Sequence, residues 1–247
     1  MSVTAETARY WVDRWDRQQE AYLPDREELF AVVADVVAAV APEPVVVDLG
    51  CGAGSLSARL LARLPAARVV GVDCDPVLLA LAEAAYRLPV VDHDLRDAGW
   101  SAALSLDRTA DAVVSTTALH WLQRDELARV YGQAARLLRP GGVLVNGDDM
   151  CASPADGELA RLTRAVATGR ADRAGAPGEG WAEWWSEVTA DTALATAVAD
   201  RRGRRWGHAH GDGLPYGVHL DLLRAAGFRE VGTVWQSGDR RVLVAVR

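Results

Sequence analysis

Pro44-Val-Val-Val-Asp-Leu-Gly-Cys-Gly-Ala-Gly54 is the stretch from which the rest of this 247-residue chain can be read. Val45, Val46 and Val47 form an apolar run without polar alternation, which predicts a strand buried on both faces of a parallel sheet. Gly50, Gly52 and Gly54 follow at alternate positions, where they allow a sharp turn and keep Cβ atoms from between the main chain and a ligand. Ser55 opens a predicted helix, with Leu56, Leu60, Leu61 and Leu64 on one face. Strand, glycine loop and helix N-terminus in succession make a cradle for a small ligand. A dinucleotide fingerprint would place Gly or Ala where Ser55 stands. A phosphate loop would need a lysine, and this chain has none. Asp48, ahead of the glycines, repels a pyrophosphate and suits a cationic ligand.

Composition narrows the classes. Half the residues are hydrophobic and a quarter charged, and the net charge is −7 with arginine supplying all 27 basic residues. An acidic chain without a lysine-rich stripe argues against nucleic acid as the main partner. The longest apolar stretch, Leu29 to Ala41, is interrupted by Asp35 and is too short to span a bilayer. The N-terminus lacks the regions of a signal peptide, and Cys51, Cys74 and Cys151 show no zinc or C-x-x-C spacing. No membrane partner is expected, and a reducing cytoplasm is the expected compartment.

The remaining elements follow in order. Residues 5 to 20 carry Ala8, Trp11, Val12 and Trp15 on one helical stripe. Asp25 is the predicted cap of a second helix bearing Leu29, Val33, Val36, Val37 and Val40, which Pro42 and Pro44 end. A second strand, Arg68 to Val72, runs into Asp73-Cys-Asp-Pro76, where Asp75 and Pro76 start a helix to Tyr86. Val90 and Val91 mark a third strand, followed by Asp92-His-Asp-Leu-Arg-Asp97. A fourth, Asp111 to Ser115, runs into Thr116-Thr-Ala-Leu-His-Trp-Leu122. A helix from Arg124 to Leu138, a break at Arg139-Pro-Gly-Gly142 and a fifth strand, Val143 to Gly147, come next. After a tryptophan-rich insertion, His219 to Ala226 is the last helix, and Phe228 to Trp235 with Arg241 to Val246 an antiparallel hairpin.

Taken together, these motifs resemble the class I S-adenosylmethionine (SAM)-dependent methyltransferases of small-molecule type, over nearly the whole chain. The resemblance implies an α/β fold: a Rossmann-like, seven-stranded, mostly parallel sheet with an antiparallel last strand and helices on both faces. It implies one domain (1–247), with an N-terminal helical cap (1–43), a SAM-binding core (44–149), a helical lid insertion (150–217), and a final helix and hairpin (218–247). SAM is the implied cofactor and S-adenosylhomocysteine its product, held by Asp48, Gly50, Gly52, Gly54, Cys74 and Ser115. Asp73 lies about 20 residues beyond the glycines, where a strand-end carboxylate can accept from both ribose hydroxyls. The Asp94 carboxylate is expected to accept from the adenine amino group, and the Leu95 amide to meet a ring nitrogen. Tyr22 and Arg26 either close over the cofactor's methionine end or serve surface and packing roles.

Methyl transfer from a sulfonium is an in-line displacement in which the protein aligns and desolvates the acceptor. His120, at the end of the fourth strand, is the candidate base, because it titrates near neutrality. The alternative is a histidine that only shapes the pocket. Trp121, Asp148, Asp149 and His219 are the substrate-side candidates; packing for Trp121 and helix capping for the two aspartates are the competing roles. His208-x-His210 with Asp212 has metal-like composition but no fixed fourth ligand, so no metal is expected. Arg201 to Arg205 either binds an anionic substrate group or forms a solvated helix end. The expected reaction is methylation of a small molecule, on oxygen before nitrogen or carbon, in specialised metabolism such as antibiotic biosynthesis. A homodimer or a protein partner through the lid or the N-terminal helix stays open. Two rivals also stay open: a non-methylating reaction on the same fold, and a non-catalytic member that binds a partner.

Overall fold

The computed structural model describes residues 3–153, 157–175, 178–204 and 213–247. Seven strands form one sheet: β1 (Val45–Leu49), β2 (Arg68–Asp73), β3 (Val90–Asp92), β4 (Ala110–Thr116), β5 (Leu138–Asp149), β6 (Glu230–Ser237) and β7 (Arg240–Val246). Their order is β3-β2-β1-β4-β5-β7-β6. β1, β2, β3, β4 and β5 pair in parallel, and β7 runs antiparallel between β5 and β6. The helices are α1 (Ala5–Tyr22), α2 (Arg26–Val40), α3 (Ser55–Arg63), α4 (Pro76–Tyr86), α5 (Arg124–Leu137), α6 (Glu158–Ala174), α7 (Trp181–Val188), α8 (Ala195–Gly203) and α9 (Tyr216–Ala225).

The valine run has the burial its pattern demands. Every residue of β1 is buried. Val45, Val47 and Leu49 join a core with α5 and α9, while Val46 joins the opposite core with α2 and α3. Each buried valine or leucine side chain contributes about 1.5–3 kcal/mol, so a strand that feeds two cores tolerates no polar face. A third core ties α1 to α4, α7 and α8 through Trp11, Val12, Leu78, Leu81, Trp184 and Val198.

Several local expectations change. α5 stops at Leu137, and Arg139-Pro-Gly-Gly142 lies inside β5 as a bulge: Leu138 pairs with Ala110, but Val143 with Ala112. Proline ends the helix as expected, and the skipped register absorbs the residues that cannot ladder. Asp25 precedes α2 without a side-chain capping bond, because its carboxylate is drawn to Arg170 of α6 and to Ser237 Oγ at 2.7 Å. α9 begins at Tyr216, directly after Pro215. Leu159, Leu162 and Val166 lie on a helix as their spacing predicts, yet they are half-exposed, because α6 sets Thr163 and Ala167 against Gly238 instead. Trp184 is fully buried and meets Trp15 edge-on at 4.9 Å, whereas Trp181 is half-exposed. Arg205, Trp206, His208, His210 and Asp212 lie outside the described residues. Among the described residues no helix is long and apolar enough to cross a membrane, and no cluster of three or more His, Cys, Asp or Glu could hold a metal ion.

Candidate active site

The loop after β1 is shaped by what each glycine faces. A Cβ on Gly50 would lie 2.4 Å from the Cβ of Ala118, so this glycine lets the loop after β4 close against the loop after β1. Gly52, at φ +52°, faces open space, with Leu78 Cδ1 3.9 Å from an added Cβ. Such an opening leaves room for close approach to the main chain. Its floor is Asp73: one carboxylate oxygen accepts from the Gly52 amide at 2.9 Å, the other from the Cys74 and Asp75 amides at 2.7 and 2.9 Å. A carboxylate has about four acceptor sites. Asp73 therefore holds the loop in shape and has fewer acceptor sites left for ribose than the sequence reading assumed. Burial raises its pKa against these amide bonds, and burial beside Asp73 pushes the Cys74 thiol up to about 12.

Other residues expected to contact the cofactor also have partners within the protein. Asp48 is 1% exposed and turned beneath the loop, accepting from Ser57 Oγ at 2.6 Å. Burial pushes its pKa up to about 7, with the Asp73 charge adding to the rise and Ser57 opposing it. Ser115 Oγ donates to the Leu49 carbonyl at 2.8 Å, clamping β4 to β1. The Asp94 carboxylate is held by Arg96, through Nε at 2.9 Å, Nη2 at 2.6 Å and the Arg96 amide at 2.9 Å. Leu95 is half-buried against the core. Tyr22 is exposed and its hydroxyl lies 3.4 Å from the Trp181 amide.

Of the roles open to Arg26, the structure shows packing. The side chain is buried, lies over the Phe30 ring at 4.6 Å and is paired with Asp16 at 3.0 Å. Asp16 is the residue that sequence reasoning missed: it also accepts from Ser55 Oγ and Arg59 Nη1, both at 2.6 Å, tying the N-terminal helix to the end of the glycine loop. The signal was present, since Asp16 stands four residues after Val12 on the stripe that α1 buries.

Directly after β4, Thr117 takes φ +51°, a left-handed conformation rare for a β-branched residue and often found at functional sites. The bend leads into a 3-10 turn, Leu119–Trp121. Here the Nδ1 of His120 lies 2.8 Å from Asp148 Oδ1, and its backbone amide donates to Oδ2 at 3.1 Å. Asp148, at the end of β5, is 1% exposed, while the His120 side chain is 35% exposed. Burial pulls the His120 pKa down, but the hydrogen bond and charge of Asp148 outweigh it, and the net shift is upward. With Nδ1–H directed at the carboxylate, Nε2 is the nitrogen left to take a proton. Trp121 is exposed, its ring 5.1 Å from that of His120.

Two expected substrate-side residues are engaged within the protein. Asp149 pairs with Arg240 at 3.2 Å. His219 is buried in the core, its Nδ1 2.8 Å from the Tyr131 hydroxyl, and burial lowers its pKa. His219 shares the buried face of α9 with Leu223, one turn on, where only a tertiary partner could have revealed its role.

The sheet order, the glycine loop after β1 and the carboxylate that ends β2 are the features on which the resemblance to class I methyltransferases rests. Residues 46–142 match the family profile described as a methyltransferase domain. Trans-aconitate 2-methyltransferase of Methylobacterium nodulans is 38% identical over 132 residues, 53% of this chain and 48% of that protein. That of Azoarcus sp. is 38% identical over 135 residues, 53% and 49% of the two chains. The chain thus spans about half the length of the curated relatives it matches. Streptomyces venezuelae DesVI shares the fold with a TM-score of 0.59 at 18% identity, over 95% of this chain and 97% of that one. An O-methyltransferase family protein from Burkholderia thailandensis has a TM-score of 0.55 at 20% identity, over 100% and 64%.

Proposed function

We propose that this chain, working as one unit of cap, core and lid, transfers a methyl group from SAM to an oxygen of a small-molecule acceptor, leaving S-adenosylhomocysteine. The observation that carries the proposal is the His120–Asp148 pair at the carboxyl ends of β4 and β5, where open α/β sheets place their ligands. SAM supplies a methyl already activated on a sulfonium. The Gly52 opening and Asp73 would receive the cofactor, and Asp48, when ionised, would favour its positive charge. His120 Nε2 removes the acceptor proton, and Asp148 orients the ring and stabilises the imidazolium that forms.

A hydroxyl acceptor gives this base a task. The arginines beside the pair are engaged: Arg240 by Asp149, and Arg241 by the Met150 carbonyl. A second reading, a carboxylate acceptor, is favoured by the trans-aconitate methyltransferases among the relatives. Such an acceptor is already anionic and needs no base. Methyl incorporation into hydroxyl and carboxylate panels, with wild type and His120→Gln across pH, separates the two. Loss of a pH-dependent limb in the variant supports the hydroxyl reading; equal profiles support the carboxylate. SAM binding without methyl incorporation into any acceptor would instead support a repurposed or non-catalytic fold.

A further inference from the structure

Arg201 and Arg204, part of an arginine cluster that the reaction does not use, connect the lid to the cofactor side of the sheet. Arg204 follows α8. Its Nη1 donates to the Cys74 carbonyl and to Asp92 Oδ1, both at 2.6 Å, and its Nη2 reaches the other Asp92 oxygen. Cys74 directly follows Asp73, and Asp92 stands two residues before Asp94. One guanidinium therefore joins the loops that carry both expected cofactor carboxylates. Three residues earlier, Arg201 Nε donates to Asp75 Oδ2 at 2.7 Å, while Asp75 Oδ1 caps α4 at Val77. The Arg201 guanidinium also lies over the Trp185 ring at 4.0 Å. On the same helix, Val198 belongs to the buried cluster of Leu78 and Leu81 of α4.

We infer that Arg204, seconded by Arg201, is a positioning residue that latches the lid across the adenosine end of the cofactor site. The inference rests on the proposal that the loops after β2 and β3 receive SAM. A planar guanidinium suits the task because it can bridge a carboxylate and a carbonyl at once. The Arg204 and Asp92 side chains are 33% and 47% exposed, so the latch can open and is sensitive to salt. Cofactor entry and product departure at this end require the pair to separate, as for other lids that limit product release.

The test uses the full chain with S-adenosylhomocysteine, which is not consumed. Its dissociation rate is measured over a salt series for wild type, Arg204→Ala, Arg204→Lys and Asp92→Asn. In Arg204→Ala and Asp92→Asn the rate should rise about five- to tenfold and lose most of its salt dependence. Arg204→Lys should recover part of the effect, since an ammonium lacks the planar bridge. Hydrogen exchange without ligand should show lower amide protection over residues 74–78 and 195–203 in Arg204→Ala. Dissociation and salt dependence unchanged from wild type, in variants that bind the ligand, overturn the gate. Unchanged exchange protection overturns the latch itself. If wild type binds neither SAM nor its product, the cofactor proposal fails and the gate with it, while the exchange arm still decides the latch.

Discussion

Replacing Asp148 with asparagine keeps the shape of the side chain and removes its charge, which isolates what the carboxylate does for His120. In the folded protein burial lowers the His120 pKa, and the Asp148 hydrogen bond and charge, joined by the charge of Asp149, raise it further than burial lowers it. A base works in its neutral form, so the wild-type rate should rise with pH through this raised value. In Asp148→Asn the burial remains and the opposing charge is gone, so the limb should move to lower pH. At the plateau, the imidazolium formed during transfer loses a 2.8 Å charge-assisted partner that is 1% exposed. A hydrogen bond to a charged group is worth about 1.5–3 kcal/mol, so kcat should fall roughly 10- to 150-fold. His120→Gln should cost about 10²–10⁴-fold and abolish the limb. SAM affinity should change little in either variant, because the pair stands at or just beyond the ends of β4 and β5 while Asp73 and Asp94 stand at or just beyond the ends of β2 and β3. The same linkage sets a stability expectation: a raised histidine pKa adds stability below the unfolded value, and that stability is lost as pH rises through the folded value. The Tm gap between wild type and His120→Gln should therefore narrow on the alkaline side. The assay is label transfer from SAM to a hydroxyl acceptor across the neutral range, with calorimetry for the cofactor. A His120→Gln enzyme that retains wild-type turnover and its pH limb would refute the base.

Three further outcomes are expected. Gly52→Ala should bind SAM poorly yet unfold near wild type, because the added methyl enters open space and only the left-handed backbone is strained, by about 1–2 kcal/mol. Gly50→Ala should disturb the His120 turn through Ala118 at 2.4 Å; calorimetry and melting curves showing the same behaviour for both would contradict the loop geometry. Asp16→Ala strands the buried Arg26 without its carboxylate and should destabilise by about 3–5 kcal/mol, read by denaturant unfolding; a loss below 1 kcal/mol would mean the cap is held elsewhere. Asp48→Asn keeps an acceptor for Ser57 and removes a carboxylate whose pKa is pushed up to about 7. Because that value lies above the unfolded one, wild type loses stability as pH rises toward and through it. The variant should match wild type in acid, melt higher above neutrality and bind SAM more weakly; a lower Tm at alkaline pH would count against the burial argument.

What the sequence determined by itself were the features with short-range or periodic physical causes. Val45 to Val47 demanded burial on both faces, the alternating glycines demanded a turn, and Asp75-Pro76 started a helix. The helical spacing of Leu159, Leu162 and Val166 favours an ordered segment, and α6 forms there. Spacing reports which residues share a face, but it does not say whether anything covers that face, and this one is left half-exposed. The site divides along the same line. His120 and Asp73 could be picked out because the ends of parallel strands collect ligands whatever the rest of the fold does. Only the tertiary structure decided that Asp148 serves His120, that Asp94 is held by Arg96, that Arg26 and His219 lie in the interior, and that Asp16 fastens the N-terminal helix to the glycine loop. Each of these depends on which opposite charge or polar atom, distant in sequence, lies within hydrogen-bond reach after folding. A carboxylate's residue type fixes its capacity to accept protons, while its partner is chosen by the packing of helices around the sheet.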